Sequence, residues 1–183
     1  MNTVYDAKIL GLPKIEDPRG NLSIIEQMKQ IPFEIKRTYW IYDVPGGKDR
    51  GGHAYKENEE FIVALSGSFD VELDDGKNKQ KFSLNRSYHG LYVPKGMWRT
   101  MTNFSTNSLA LVLSSTEYDE NDYIMDYEEF KRWTKDNTIQ TVSSDARTSV
   151  KVNEVDSQGM LKEGKSVFDC SLCELNKMHD PEG

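Results

Sequence analysis

The sequence predicts an all-β protein, a sandwich or barrel of antiparallel strands, on three observations. Segments alternating apolar and polar residues recur at short intervals between residues 35 and 114, the period of a strand with one buried face. Turn-forming runs separate them: Pro45-Gly46-Gly47, Ser66-Gly67 and Asp74-Asp75-Gly76. Helical periodicity is confined to one stretch, where Asp119 is set to cap a short amphipathic helix through Ile124, Tyr127, Phe130 and Trp133.

Taken in order, residues 3–12 read as a short extended arm, and Asp17-Pro18-Arg19-Gly20 as a turn. Strands are expected at 21–26 and 35–43, the second rich in β-branched and aromatic residues. Residues 61–75 read as a hairpin about Ser66-Gly67, with Phe61, Val63 and Leu65 on one face before the turn and Phe69, Val71 and Leu73 repeating the alternation after it. Further strands follow at 80–84, 91–93, 97–101 and 109–114.

Composition narrows the class. The chain has 183 residues, 37% hydrophobic and 10% aromatic, enough for one well-buried domain with residues to spare. A net charge of −7 argues against general binding to nucleic acid or an anionic membrane, while leaving room for a local basic pocket. The first residues lack the basic and apolar regions of a signal peptide, and no apolar run reaches a membrane span, so a soluble, cytoplasmic protein is expected. Cys170 and Cys173 form a single CxxC with no second pair to complete a metal set, and read as free thiols.

After Trp133 the character changes. Residues 134–165 are polar and aperiodic and read as a linker between a first domain, 1–133, and something further on. Residues 166–183 align without gaps on residues 3–20, with seven identities (Val, Asp, Leu, Lys, Asp, Pro, Gly). Such self-similarity predicts that a second copy of the domain begins at 166, making this chain one half of a tandem protein.

The chemistry gathers between Gly47 and Gly67. His53 and Tyr55 are alternate residues of an extended segment, so they project to the same face, an imidazole beside a phenol with Glu60 close behind. The spacing Gly47-x5-His53-x-Tyr55-x4-Glu60-x6-Gly67 resembles the first cupin motif, with Tyr55 where a His is usual. Pro94-x-Gly96-x2-Arg99-x3-Asn103 resembles the second, with Arg99 in place of another His. The resemblance implies a double-stranded β-helix, a small jelly-roll barrel with both motifs at its mouth. Two imidazoles of the metallo-cupin set are missing, and a permanent cation stands where a metal needs a neutral donor, so no metal and no other cofactor is expected. Arg99 suits an anion or a polarised carbonyl instead.

A narrower likeness lies in Arg-Gly-x-His-Ala-x-Lys, Leu-Asp-Asp-Gly, Gly-Leu-Tyr-Val and Tyr-Asp-Glu-x-Asp-Tyr-Ile. Over residues 3–133 the chain resembles the nucleotide-linked 4-keto-6-deoxyglucose 3,4-ketoisomerases, the WxcM-like cupins. The resemblance implies a homodimeric, metal-free enzyme that moves a ketone between C3 and C4 of a thymidine diphosphate sugar through an enediol, in making deoxysugars for bacterial surface polysaccharides. It implies His53, Tyr55 and Tyr39 as catalytic residues, and Arg37, Arg50, Lys56, Glu60, Trp98 and Arg99 as substrate-binding ones. In the expected sequence His53 takes the proton α to the ketone, Arg99 with Lys56 or Arg50 steadies the enediolate or the diphosphate, and Tyr55 returns a proton to the neighbouring carbon. A His-Ala-His pair serves active members, so Tyr55 departs from the pattern; a phenol is a competent acid, and becomes a base only if Arg99 or Lys56 lowers it. Trp40, Tyr42 and Trp98 are candidate platforms for a nucleobase, although Trp98 and Tyr92 fit a barrel core better than a stacking role. Two other readings stand beside the isomerase: a sugar-nucleotide-binding half that has lost its chemistry, and an epimerase built on a His/Tyr pair.

Overall fold

Residues 2–148 are described by the structure, a computed structural model, with side chains as far as residue 137. Twelve strands occur among them: β1 Lys8–Gly11, β2 Lys14–Ile15, β3 Leu22–Ser23, β4 Arg37–Ile41, β5 Arg50–Tyr55, β6 Glu60–Ser66, β7 Phe69–Asp74, β8 Lys79–Leu84, β9 His89–Val93, β10 Trp98–Thr102, β11 Leu109–Ser114 and β12 Tyr123–Ile124. One helix, α1, runs Tyr127–Thr148. All paired strands are antiparallel, in two five-stranded sheets ordered β1-β9-β6-β11-β4 and β12-β5-β10-β7-β8, with β2 and β3 forming a small separate ribbon. This is the expected all-β jelly roll.

Alternation along each strand sorts the side chains into layers. Between the sheets lie Ile62, Ala64, Leu91, Val93, Ala110 and Val112 from one side and Phe69, Val71, Leu73, Leu84 and Met101 from the other. The intervening residues Phe61, Val63 and Leu113 face outward and are covered by Leu12, Ile31 and Phe33 from the N-terminal segment. That outer layer is why a strongly apolar β6 needs no second sheet on its far side. Phe61 lies across β9 at Gly90, where a Cβ would meet its ring carbons at 2.1, 2.4 and 2.7 Å.

Two local expectations are corrected first. The pair flanking Ser66-Gly67 is no hairpin: β6 pairs with β9 and β11, while β7 pairs with β10 and β8, so the chain crosses between sheets there. β6 is buried on both faces and β7 mainly on one, and alternation alone cannot say which neighbour each will take. The true hairpin is β7–β8, closed by Asp75, whose carboxylate accepts the N–H groups of Lys77 and Asn78 and, from across the fold, Val4. Asp119 caps only a 3-10 turn at Glu120–Asp122, accepting from Asn121 N–H, and the chain then extends into β12 before α1 begins at Tyr127.

The strand expected at 21–26 reduces to Leu22–Ser23. The helix expected to end near Trp133 continues through residues 134–148, the first half of the segment read as a linker. Its polar residues carry no apolar period, yet Thr134 is buried against Gly76, and helix propensity needs no periodicity. Residues 2–141 belong to one compact unit. The remainder of the linker and the repeat at 166–183 lie outside the described residues. No helix among those described is long and apolar enough to cross a membrane.

Candidate active site

β5 begins with Arg50-Gly51-Gly52 and ends with His53-Ala54-Tyr55. Its pairing with β10 shifts by one residue, so that Arg99 faces His53 while Thr100 faces Gly51, leaving Gly52 as the extra residue of a bulge. Gly51 and Gly52 take φ of 89° and 76°, left-handed values that glycine adopts freely. At Gly51 a Cβ would also stand 3.0 Å from the Arg99 carbonyl and 3.2 Å from its Nη1. The bulge thus brings a bare stretch of backbone onto Arg99, and beyond it the strand turns His53 and Tyr55 to the same side. Their rings meet edge to face with centroids 4.9 Å apart.

They open on a cleft of about 430 Å³, whose wall includes Arg37, Tyr39, Ile41, Arg50, Gly51, His53, Tyr55 and Arg99. At its floor, the buried Arg99 guanidinium grips the buried Glu60 carboxylate, Nε donating to Oε2 and Nη2 to Oε1 at 3.3 Å. Tyr39 completes the cluster, donating its hydroxyl to Glu60 at 2.7 Å and accepting from Arg99 Nη2 at 2.7 Å. Glu60 therefore pairs with Arg99. In a metallo-cupin this position faces an ion. Here a guanidinium already occupies the carboxylate, and no cluster of three metal-ligating side chains occurs among the described residues.

These charges set the protonation of the wall. Burial, then the positive charge of Arg99, lowers the His53 imidazole to about 4, so at neutral pH it is an uncharged base. Its Nε2 is buried and makes no hydrogen bond within the protein. Burial, then the Glu60 carboxylate, pushes the Tyr55 phenol well above the ordinary tyrosine range. Burial and Glu60 outweigh Arg99, so the Tyr55 phenol is protonated at neutral pH, which speaks against the tyrosinate base considered from sequence. Burial raises the Tyr39 phenol as well, with Arg99 opposing and Glu60 adding.

The other expected residues divide. Arg37 and Arg50 line the cleft, Arg37 lying against the Tyr39 and Tyr118 rings at 5.8 and 5.6 Å. Trp40 and Tyr42, each 60% exposed, stand on its wall. Arg99 is a floor residue tied to Glu60 rather than a free clamp. Lys56 lies outside the cleft, its Nζ held by the Asn121 carbonyl at 2.7 Å. Trp98, next to Arg99, necessarily points the other way and packs on Tyr127 and Phe130 at 5.2 and 5.6 Å, so neither it nor Lys56 belongs to the cleft. Two wall residues escaped the sequence reading, Tyr118 and Tyr123. Both sit in the Tyr-Asp-Glu-x-Asp-Tyr-Ile segment, which was the available signal. Asp122 fixes this segment: its carboxylate accepts the N–H groups of Glu57 and Asn58 at 2.7 and 3.1 Å, holding β12 against the end of β5.

Comparison with known proteins agrees with this geometry. The family model described as "FdtA: WxcM-like, C-terminal" matches residues 5–135. A TDP-4-oxo-6-deoxy-α-D-glucose-3,4-oxoisomerase of Aneurinibacillus thermoaerophilus is 45% identical over 126 residues, covering 69% of this chain and 91% of the relative. A crystal structure of a 3,4-ketoisomerase from Helicobacter canadensis superposes with a TM-score of 0.70 at 47% identity, covering 71% of this chain and 98% of the other. A mutant of the 3,4-ketoisomerase QdtA from Thermoanaerobacterium thermosaccharolyticum, in complex with TDP-4-keto-6-deoxyglucose, does so with 0.71 at 33% identity, covering 73% and 97%. The matched segment contains every strand among the described residues and the whole wall of the cleft, and on it the chain belongs to the WxcM-like, C-terminal family, among the sugar 3,4-ketoisomerases.

Proposed function

We propose that the cleft is the active site of a metal-independent 3,4-ketoisomerase acting on a nucleoside-diphosphate 4-keto-6-deoxy sugar, most simply a thymidine diphosphate one. The observation that carries this reading is the His53–Tyr55 pair: a neutral imidazole beside a protonated phenol, both on the wall of one cleft. The relatives named above support the substrate class. His53 takes the C3 proton, Tyr55 protonates the C4 oxygen to give the enediol, and His53 returns its proton to C4 as the ketone forms at C3. The carbon proton is given to His53, in place of the return by Tyr55 that the sequence suggested, because a phenol raised this far is a poor carbon acid–base but still donates to a developing oxyanion. Arg37 and Arg50 supply cationic donors for the diphosphate, and Trp40, Tyr42 and Tyr118 supply rings for the base.

The wider setting belongs to the same proposal: a cytoplasmic homodimer working in deoxysugar supply for bacterial polysaccharides, with 166–183 opening a second copy of the domain. The catalytic reading is tested by proton NMR of the protein with TDP-4-keto-6-deoxyglucose in heavy water. A 3-keto product is expected, with deuterium at C4 to the extent that the His53 imidazolium exchanges with solvent before it returns its proton. Saturable binding without exchange marks a domain that has lost its chemistry, and deuterium at C3 or C5 with the 4-ketone retained marks epimerase-type exchange; either outcome rejects the isomerase.

A further inference from the structure

Tyr123 lies directly opposite Tyr55 in the β12–β5 pairing, and its hydroxyl accepts that of Tyr55 at 3.1 Å. Three rings form a closed triangle: Tyr55 and Tyr123 have centroids 4.6 Å apart, His53 and Tyr123 5.2 Å, and His53 and Tyr55 4.9 Å. The neighbouring phenol, Tyr39, has its proton committed to Glu60. Tyr123 thus provides the second hydroxyl of a short chain that starts at the buried Tyr55 and ends at a half-buried ring on the cleft wall. β12 is only two residues long, yet it is anchored from both sides, by Asp122 on the Glu57 and Asn58 N–H groups and by Ile124 in the cluster with Ala54 and Phe130.

We propose that Tyr55 and Tyr123 form a two-hydroxyl proton relay serving the sugar oxygens, with Tyr123 as a positioning residue that acts through Tyr55. The inference rests on the ketoisomerase reading. In the first half of the reaction the C3–H bond breaks and its proton goes to the His53 imidazole. The C–H electron pair becomes the C3=C4 bond, and the carbonyl pair moves onto O4. O4 takes the Tyr55 proton while Tyr55 takes that of Tyr123, leaving a neutral enediol, an imidazolium at His53 and a phenolate at Tyr123. The negative charge so rests on the half-buried ring beside the imidazolium instead of on the more deeply buried Tyr55 phenol, where desolvation penalises it more.

In the second half O3–H gives its proton to Tyr55 as Tyr55 passes its own to Tyr123, and the imidazolium protonates C4. The hydrogen-bond direction seen, Tyr55 to Tyr123, is that of this second half; rotation of two hydroxyls gives the first. C3–H and O3–H are lost, C4–H and O4–H are gained, and nothing else is consumed.

The test compares the intact protein with Tyr123→Phe, Tyr55→Phe and the double variant, using TDP-4-keto-6-deoxyglucose. Tyr123→Phe should lower kcat roughly 10- to 100-fold, the lower range for a positioned proton donor, with KM unchanged. The double variant should be no slower than Tyr55→Phe alone, because a relay broken once is not broken again. Full kcat in Tyr123→Phe, or losses that multiply in the double variant, overturns the relay. Should Tyr123→Phe misfold, a fluorotyrosine at 123 keeps ring and hydroxyl while lowering the phenol pKa; an unmoved pH profile of kcat then overturns it. An unmodified protein with no turnover rejects the ketoisomerase reading itself, a result distinct from an active protein indifferent to Tyr123.

Discussion

Replacing Glu60 by Gln is the sharpest perturbation of the floor. The two charged side chains are 1% and 3% exposed, so neither has water to fall back on. The carboxylate receives three donors, two from Arg99 and one from Tyr39. A glutamine amide has the same shape but offers one acceptor oxygen, and turns an N–H₂ toward donors that already have none to spare. The buried guanidinium loses its counter-charge, a change that typically removes about 3–5 kcal/mol. Against a total stability on the order of 5–15 kcal/mol, that is a large fraction. With a urea slope of about 2 kcal/mol per molar, the unfolding midpoint should fall by about 2 M at pH 7. Equilibrium urea unfolding followed by tryptophan fluorescence measures it. The paired replacement Glu60→Leu with Arg99→Met removes both charges and should recover to within about 1 kcal/mol of the parent, as buried ion pairs exchanged for apolar residues commonly do. A Glu60→Gln midpoint within about 0.3 M of the parent, a loss of less than about 0.6 kcal/mol at that slope, refutes the argument. So does a double variant as unstable as the single one.

Three further outcomes are expected. His53 binds its proton more weakly folded, at about 4, than unfolded, near 6.5. The unfolded chain therefore holds the extra proton between those values, and stability should drop by about 3 kcal/mol as pH falls from 6.5 to 4. A His53→Asn variant should lack that component of a pH-resolved unfolding series, and kcat/KM of the parent should hold its acid limb near 4 rather than 6.5. Gly90→Ala should destabilise by about 1–3 kcal/mol or more, through overpacking against Phe61, with a lower Tm; a Tm unchanged within 1 °C, a margin well under the several degrees about 1 kcal/mol produces, contradicts the contact. Arg37→Ala should raise KM for a nucleotide sugar roughly tenfold, the scale of one lost charge-assisted contact, while kcat holds; titration calorimetry with thymidine diphosphate should show the same weakening.

The sequence carried the architecture because alternation and turn chemistry are local: β11 occupies the span expected of it, and β4, β7 and β9 lie within a few residues of theirs. It could not carry sheet membership. β6 and β7 are consecutive and rich in apolar residues, yet their partners are chosen by long-range packing. In the site, His53 and Tyr55 were legible because two residues on one strand must share a side, and the same rule should have turned Trp98 away from Arg99's cleft. Tyr123 was hidden for a different reason. Its place depends on Asp122 reaching the N–H groups of Glu57 and Asn58, a contact across more than sixty positions of chain. The fate of Tyr55 was likewise not readable, since its phenol is decided by depth and by Glu60, whose charge and location belong to the folded state.

The fit of Phe61 over Gly90 reaches further than packing. Phe61 and Glu60 are neighbours on β6 and point to opposite sides of the same sheet, one toward the N-terminal covering layer and one toward Arg99. The strand works as a beam gripped at its outer edge. Seating the ring against bare backbone on β9 fixes the height at which the carboxylate meets the guanidinium, and with it the Tyr39 hydroxyl and the field at His53. Substitutions in the outer layer, at Leu12, Ile31 or Phe33, would therefore register as changes in the chemistry of the cleft, although none of these side chains ever meets a substrate.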